Sequence, residues 1–308
     1  MKKSRSKLKS KISRNLFPTL LLLFLFAGLL VFAYKYSLNK RYEPVLEKKL
    51  DMKTIPLDVK SELKKTPYSA TIRIPVFMYH YVEYVKDQRD TIRKSLNITP
   101  ATLENQIQTL KDAGFTFITV ADLGSILDGG GDLPPNPVIL TFDDGHRDFY
   151  TDVFPLLKKY NVKATAYIVP GFLGGSDFME PDQVAEIADS GLVEIAAHTI
   201  NHAYLKGKDL KTVEKEVSVS KIMLQDEFHV PVVSFAYPYG AFDQQAINAV
   251  KAAGYKTAVS TIFGIEVNQG NRFFIERIRP GGRVGAELIN FIKTFKEPAQ
   301  NAVKSTGY

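Results

Sequence analysis

The stretch VILTFDDGHRDF, residues 138–149, joins an unbroken apolar run to two adjacent carboxylates, Asp143 and Asp144. A strand that is apolar throughout is typical of a parallel sheet, which helices cover on both faces. In such sheets the chemistry collects where the strands end at their carboxyl side. Nothing beside the two aspartates in sequence neutralises both charges, so the stretch predicts a site completed by residues from elsewhere in the chain.

Short apolar runs alternate with amphipathic helical patterns from Ile74 onward. Thr99 and Pro100 suit the cap and first position of one such helix, and Gly114 suits its end. The apolar runs are IPVFMYHYV, FTFITV, PVILTF, VKATAYIV, LVEIAA, PVVSFAY, KTAVS and RFFIERI. Seven or eight strand–helix units in roughly 220 residues predict an α/β fold, a deformed (β/α)7-8 barrel, with an open doubly wound sheet as the alternative.

The charge of the chain is concentrated at its start. The 308 residues carry 40 Lys and Arg against 33 Asp and Glu, a formal net charge of +7. Seven of the basic residues lie in 1–15, which contains no acid, so the remaining 33 basic residues equal the acids. This balance argues against a nucleic-acid partner. The chain has no cysteine, which excludes disulfides and thiolate metal ligands.

The segment that follows, residues 16–34, is uncharged and long enough to cross a bilayer as a helix. With the basic residues 1–15 held in the cytoplasm, it predicts a single-pass protein of the cell membrane with an extracellular catalytic domain. A cleaved signal peptide is the alternative. Residues 35–73 are predicted to form a charged stalk, 74–295 the catalytic domain, and 296–308 a tail.

Histidines gather at the predicted strand ends. His198 and His202, in HTINH, are spaced to lie on the same side of a helical turn. Two histidines and one carboxylate form the ligand set of an open catalytic zinc site. Neighbouring strand residues point in opposite directions, so one aspartate of the pair can bind metal while the other acts as general base. The alternatives are a solvated or capping aspartate pair and histidines that bond only to backbone.

Three motifs carry a family resemblance: TFDDG (141–145), HTINH (198–202) and AYPYG (236–240). They resemble the first three motifs of the polysaccharide deacetylases, carbohydrate esterase family four, also called the NodB homology domain. The resemblance covers roughly residues 74–280 and implies a deformed barrel that removes N-acetyl groups from glycans with a divalent metal, for which zinc is expected. The implied roles are Asp143 as base, Asp144, His198 and His202 as metal ligands, and the Tyr239 N–H as oxyanion donor.

The sequence departs from the usual family pattern at three places. Ala236 stands where the third motif usually has arginine, and Arg277 or Arg279 is the candidate replacement. The chain lacks the tryptophan of the fourth motif, and no histidine follows His229 to serve as the general acid of the fifth.

His80, at the end of IPVFMYH, is the candidate general acid if the first strand of the domain closes the barrel beside the last. This pattern is similar to a rearranged branch of the family that includes the deacetylases of poly-β-1,6-N-acetylglucosamine. A core histidine is the alternative for His80, and His146 is expected to have a surface role.

The predicted function is metal-dependent N-deacetylation of an extracellular N-acetylglucosamine polymer, with poly-β-1,6-N-acetylglucosamine favoured. One alternative is an enzyme acting on peptidoglycan amino sugars, and another is an inactive membrane-tethered protein that only binds glycans. Four tyrosines near strand ends are candidates for stacking on sugar rings: Tyr79, Tyr81, Tyr237 and Tyr239.

Overall fold

Short strands alternate with helices through residues 70–296, the part of the chain that this computed structural model describes. The strands are β1 (Ile72–Arg73), β2 (Val76–Tyr79), β3 (Tyr81–Val82), β4 (Asn97–Ile98), β5 (Thr116–Phe117), β6 (Pro137–Phe142), β7 (Ala164–Ile168), β8 (Val193–Ala197), β9 (Ser234–Ala236), β10 (Thr257–Phe263), β11 (Glu266–Val267) and β12 (Ile275–Arg277). The α-helices are α1 (Thr91–Leu96), α2 (Pro100–Asp112), α3 (Val120–Leu127), α4 (Phe154–Tyr160), α5 (Pro181–Asp189), α6 (Leu210–Phe228), α7 (Gln244–Ala252) and α8 (Gly285–Lys296).

The main sheet is parallel and runs in the order β2, β6, β7, β8, β9, β10, β12, with β5 paired to the start of β6. Phe77 in β2 forms a parallel bridge with Ile278, directly after β12. The Met78 N–H donates to the Ile278 carbonyl over 3.0 Å, and the Ile278 N–H donates to the Val76 carbonyl over 2.9 Å. The first and last strands of the sheet are therefore neighbours. The predicted α/β barrel is confirmed as a nearly closed one, and the open-sheet alternative is wrong.

Alternate residues of each strand enter two separate hydrophobic clusters. In β6, Val138, Leu140 and Phe142 pack outward beneath the helices, whereas Ile139 points to the barrel interior with Val76 and Val259. All six residues of β6 are buried. The strands read as continuous apolar runs because both of their faces are covered.

Helix α3 closes the barrel at the end where the strands begin. Its residues Val120, Leu123 and Leu127 belong to the interior cluster. The N–H groups of its first turn donate inward, from Val120 to Thr165 Oγ1 at 3.0 Å and from Ala121 to Glu194 Oε2 at 2.8 Å. These bonds satisfy free donors at the helix start. Because helix α3 covers this end, the open end of the barrel is the opposite rim, at the carboxyl ends of the strands.

The predicted start of helix α2 is confirmed. Thr99 is its N-cap, with a side chain that accepts from the Thr102 N–H over 3.1 Å, and Pro100 is its first residue. Leu103, Ile107 and Leu110 are fully buried on one face of the helix.

The localisation predicted from the sequence needs correction. Across residues 70–296, the structure contains no helix that combines the length and the apolar composition needed to span a bilayer. The segment predicted to do so, residues 16–34, lies outside the described residues, as do the basic segment, most of the predicted stalk and all but the first residue of the tail.

Candidate metal and catalytic site

The residues predicted to form a site meet at the open rim of the barrel. His80 follows β2, Asp143 and Asp144 follow β6, and His198 follows β8. Tyr239 lies in the 3-10 turn Pro238–Gly240 that follows β9. Parallel strands bring their carboxyl ends to one edge, so residues far apart in sequence become neighbours here.

The side chains of the three predicted metal ligands converge on one point. The ligand atoms of Asp144, His198 and His202 all lie within 4.8 Å of one another. Asp144 Oδ1 is 3.4 Å from His198 Nε2 and 3.2 Å from His202 Nε2. This oxygen is buried, and among residues 70–296 no donor is aligned to hydrogen-bond to it. A buried anionic oxygen that faces two imidazole nitrogens without a hydrogen bond fits a divalent cation, and the donor set suits zinc.

The carboxyl group of Asp144 is ionised in this setting. Burial alone would raise its pKa, but the neighbouring imidazoles of His146, His198 and His202 hold the pKa well below its usual range. A carboxylate is the form that binds a metal ion.

The two histidines reach the site by a route other than the predicted helical turn. His198 directly follows β8, and the chain then turns through Thr199 and His202, which both have positive φ angles, of 61° and 55°. Glu216 of α6 holds this turn in place: its Oε2 accepts hydrogen bonds from the N–H groups of Ile200 and Asn201, at 2.8 and 3.1 Å. The sequence analysis missed Glu216, although an acid on the apolar face of a helix was the available signal.

Each histidine has an outer partner that fixes its ring. His198 Nδ1 lies 2.8 Å from the Ala236 carbonyl, and a carbonyl only accepts, so Nδ1 carries the proton and Nε2 presents its lone pair. His202 Nδ1 lies 3.0 Å from the Tyr239 hydroxyl. Such outer hydrogen bonds set the tautomer and orientation of metal-binding imidazoles. The backbone of Ala236 thus serves the site at the position where the family usually has arginine.

Asp143 is held by an arginine from the last strand. Arg277 Nη1 and Nη2 donate to the two carboxylate oxygens at 2.7 and 2.8 Å, and Arg277 is 1% exposed. Its remaining donors reach Thr141 Oγ1 at 3.0 Å and the Ser260 carbonyl at 2.8 Å. Burial would raise the pKa of Asp143, but the charge and hydrogen bonds of Arg277 bring it below the usual value. Of the two arginines considered from sequence, Arg277 is the one that pairs with Asp143.

His80 lies beside the same carboxylate. Its Nε2 is 3.9 Å from Asp143 Oδ2, and its side chain is 15% exposed. Burial lowers the pKa of His80; Asp143 and Asp144 oppose this, and the charges of Arg277 and Arg279 add to it. The histidine is therefore at the rim and next to Asp143, rather than in the hydrophobic core.

Of the four tyrosines near the strand ends, two are buried, Tyr81 is partly buried and Tyr239 is exposed. Tyr79 and Tyr237 are buried and donate to Gln106 Oε1 and the Phe273 carbonyl, so the prediction that they stack on sugars is wrong. Tyr239 is 66% exposed and has a positive φ of 59°. Its ring lies 6.3 Å from that of Tyr204, which is 50% exposed and which the sequence analysis missed.

His146 is not the surface residue expected from the sequence. It is 6% exposed, and its Nε2 lies 3.3 Å from Asp144 Oδ2. The turn that brings it there contains Gly145, whose φ of +77° lies in the region that favours glycine and where an added Cβ would be tight against Ile168.

Comparison with known proteins agrees with this geometry. Residues 130–258 match the family model for polysaccharide deacetylase. YxkH of Bacillus subtilis (strain 168), named as a polysaccharide deacetylase, is 27% identical over 225 residues, covering 73% of this chain and 77% of YxkH. The poly-β-1,6-N-acetyl-D-glucosamine N-deacetylase of Staphylococcus aureus (strain MRSA252) is 26% identical over 220 residues, covering 67% and 75%.

A solved structure, the Streptococcus pyogenes deacetylase PplD in complex with acetate, superposes with a TM-score of 0.66 at 27% identity. The match covers 74% of this chain and 100% of PplD. Sequence motifs, barrel and relatives agree: the chain contains a polysaccharide deacetylase domain of the carbohydrate esterase family four type, an enzyme class that hydrolyses carbon–nitrogen amide bonds.

Proposed function

We propose that the protein removes N-acetyl groups from a polymer of N-acetylglucosamine, and that poly-β-1,6-N-acetylglucosamine is its preferred polymer. The observation that carries the reaction is the ionised Asp143, braced by Arg277 beside three convergent ligand atoms. The preference for the β-1,6 polymer is supported by the named activity of the S. aureus relative. It is also supported by the position of His80 directly after β2, the first strand of the main sheet, rather than near the end of the chain.

The metal site follows from the donor set. Asp144, His198 and His202 would hold a divalent cation, for which we propose zinc, and the cation would polarise the acetamide carbonyl and make water more acidic. The chain's own contribution is orientation, because Ala236 and Tyr239 fix the two imidazole rings.

Asp143 is the proposed general base. It takes a proton from the attacking water as the new carbon–oxygen bond forms. Arg277 keeps both carboxylate oxygens in place and lowers the pKa of Asp143, so that the group is unprotonated at neutral pH.

His80 is the proposed general acid. It donates a proton to the departing nitrogen as the carbon–nitrogen bond breaks, which gives acetate and an amine. The Tyr239 N–H, in the turn that follows β9, is the proposed donor to the carbonyl oxygen as negative charge develops there.

The exposed rings of Tyr204 and Tyr239 are the proposed contact for the sugar chain. They lie side by side next to His202, whose ring centroid is 4.5 Å from that of Tyr239. Aromatic faces cover the apolar face of a pyranose ring at low entropic cost, because each tyrosine has few rotatable bonds.

Acetate release from two substrates side by side tests this function: oligomers of β-1,6-linked N-acetylglucosamine and soluble peptidoglycan fragments, each with and without a chelator. We expect release from the β-1,6 oligomers that the chelator stops and added zinc restores. Asp143→Asn, which retains the three proposed ligands, is expected to release almost none. Faster release from peptidoglycan would overturn the polymer assignment, and undiminished release by Asp143→Asn would overturn the proposed base.

A separate variant tests the proposed acid. His80→Ala should lower kcat by about 10²–10⁴-fold, the usual contribution of a positioned acid. Wild-type turnover in this variant would show that the leaving nitrogen receives its proton elsewhere.

A further inference from the structure

His146 stands in a column of rings beside the proposed metal site. Its ring lies 4.0 Å from that of Tyr81 and 5.0 Å from that of Phe178, with interplanar angles of 26° and 23°. The Arg93 guanidinium lies over the Tyr81 ring, 4.4 Å from the ring centroid. Phe172 packs against Phe178, with ring centroids 4.8 Å apart. An imidazole stacked against two rings has little freedom to rotate, so its ring edge points in a fixed direction.

The segment that carries Phe178 is itself fastened to the neighbour of His146. The Arg147 N–H donates to the Asp177 carbonyl at 2.9 Å, and Arg147 Nε donates to the Phe178 carbonyl at 3.0 Å. His146 and Phe178 also form an antiparallel bridge. The position of the imidazole is therefore fixed by backbone as well as by ring contacts.

The fixed edge of His146 points at Asp144. Its Nε2 lies 3.3 Å from Asp144 Oδ2, whereas the other oxygen, Oδ1, is the one next to His198 and His202. A carboxylate that binds a metal ion only accepts hydrogen bonds, so His146 can hold Asp144 in the proposed site through a proton on Nε2. With Oδ2 taken up by His146, Oδ1 is the oxygen left facing His198 and His202.

We propose that His146 is a positioning residue for the metal site: its Nε2–H holds the Asp144 carboxylate in the rotamer that presents Oδ1 to the cation. This inference rests on the proposed metal binding, and it assigns a role to a residue outside the ligand set. Outer partners of this kind orient the ligand before the metal arrives, and their loss typically costs about 10–100-fold in metal affinity.

Zinc affinity of the whole chain, measured by competition with a chromophoric chelator, tests the proposal. His146→Phe keeps a flat ring for the stack and removes the donor, and we expect about 10–100-fold weaker zinc binding. His146→Gln restores an N–H near the position of Nε2 and should recover most of the affinity. His229→Phe makes the same chemical change at an exposed histidine after α6, outside the site, and should leave affinity unchanged.

Denaturation of the metal-free proteins separates a role in metal binding from a role in folding. A purely structural His146 would lower the stability of the metal-free protein and leave the zinc affinity of the folded fraction unchanged. Wild-type affinity in His146→Phe, or an equal loss in His146→Phe and His146→Gln, would overturn the proposal. If His146→Phe does not fold, His146→Leu takes its place in the comparison with His146→Gln. Absence of acetate release by the unaltered, zinc-bound chain would overturn the proposed function and leave this affinity comparison intact.

Discussion

Replacement of Arg277 by methionine should destabilise the protein strongly, because it leaves the Asp143 carboxylate buried without its counter-charge. Arg277 is 1% exposed and Asp143 is 4% exposed, so water cannot replace the lost interactions. Removal of one partner from a buried ion pair costs about 3–5 kcal/mol. Since most domains have only about 5–15 kcal/mol of stability, the variant should be near the limit of folding.

The assay is urea denaturation of the metal-free proteins, followed by circular dichroism at neutral pH. Arg277→Met, Asp143→Asn and the double variant form a thermodynamic cycle. Each single variant leaves one buried charge unpaired, whereas the double variant leaves none, so its loss should be smaller than the two single losses combined by about 0.5–3 kcal/mol. Arg277→Lys keeps the charge but loses the forked geometry, and its stability should fall between wild type and Arg277→Met.

The rate of acetate release by the same proteins should depend on how well residue 277 holds the Asp143 carboxylate. Arg277→Lys should lower kcat, because a single ammonium group cannot hold both oxygens of Asp143. A loss of less than about 1 kcal/mol in Arg277→Met, the scale of an exposed pair, would refute the reasoning. Additive losses in the double variant would refute it as well, because they would show that the two residues do not act on each other.

Three further outcomes are expected. Burial raises the pKa of Asp148 to about 6 from 3.8, so the folded state binds a proton that the unfolded chain has lost, and stability falls as pH rises through that window. In urea denaturation, Asp148→Asn should therefore have the same free energy of unfolding as wild type near pH 4 and a free energy higher by up to about 3 kcal/mol at pH 8. Equal stability of the two proteins at pH 8 would contradict this. Gly171→Ala would press a Cβ against the Ile200 carbonyl oxygen, so it should lower the free energy of unfolding by about 1–3 kcal/mol in denaturation and weaken zinc binding in chelator competition. Unchanged stability and zinc affinity would exclude this tight contact. Removal of zinc should lower the melting temperature in calorimetry, because a ligand that binds only the folded state stabilises it, and an unchanged melting temperature would argue against the site.

Much of the fold could be predicted from the chain because its signals are local. PVILTF coincides with β6, residues 137–142, since a strand buried on both faces is apolar at every position. The Thr99 and Pro100 signal marked the start of α2 correctly because capping depends on residues within one turn. The convergence of Asp144, His198 and His202 could also be predicted, because strand ends meet at one rim of a parallel barrel.

Other parts of the site depend on contacts that no local pattern shows. His198 and His202 fit the spacing of a helix, yet they lie in a turn with positive φ angles that Glu216 supports from a distant helix. His146 was expected to have a surface role. Rings from Tyr81 and Phe178, more than 30 residues away in both directions, bury it instead. Side chains brought together by tertiary packing were thus the ones that the sequence did not identify.

The closure of the barrel brings residues from the two ends of the domain to one site. The bridge from Phe77 to Ile278 makes β2 and β12 neighbours, although about 200 residues separate them in sequence. His80 follows β2 and Arg277 ends β12, so both reach Asp143 from adjacent strands. In a closed sheet the first and last strands are neighbours, so a side chain at the end of either one can reach the same site. The proposed acid His80 and the bracing Arg277 can therefore reach the same carboxylate from the two ends of the sheet.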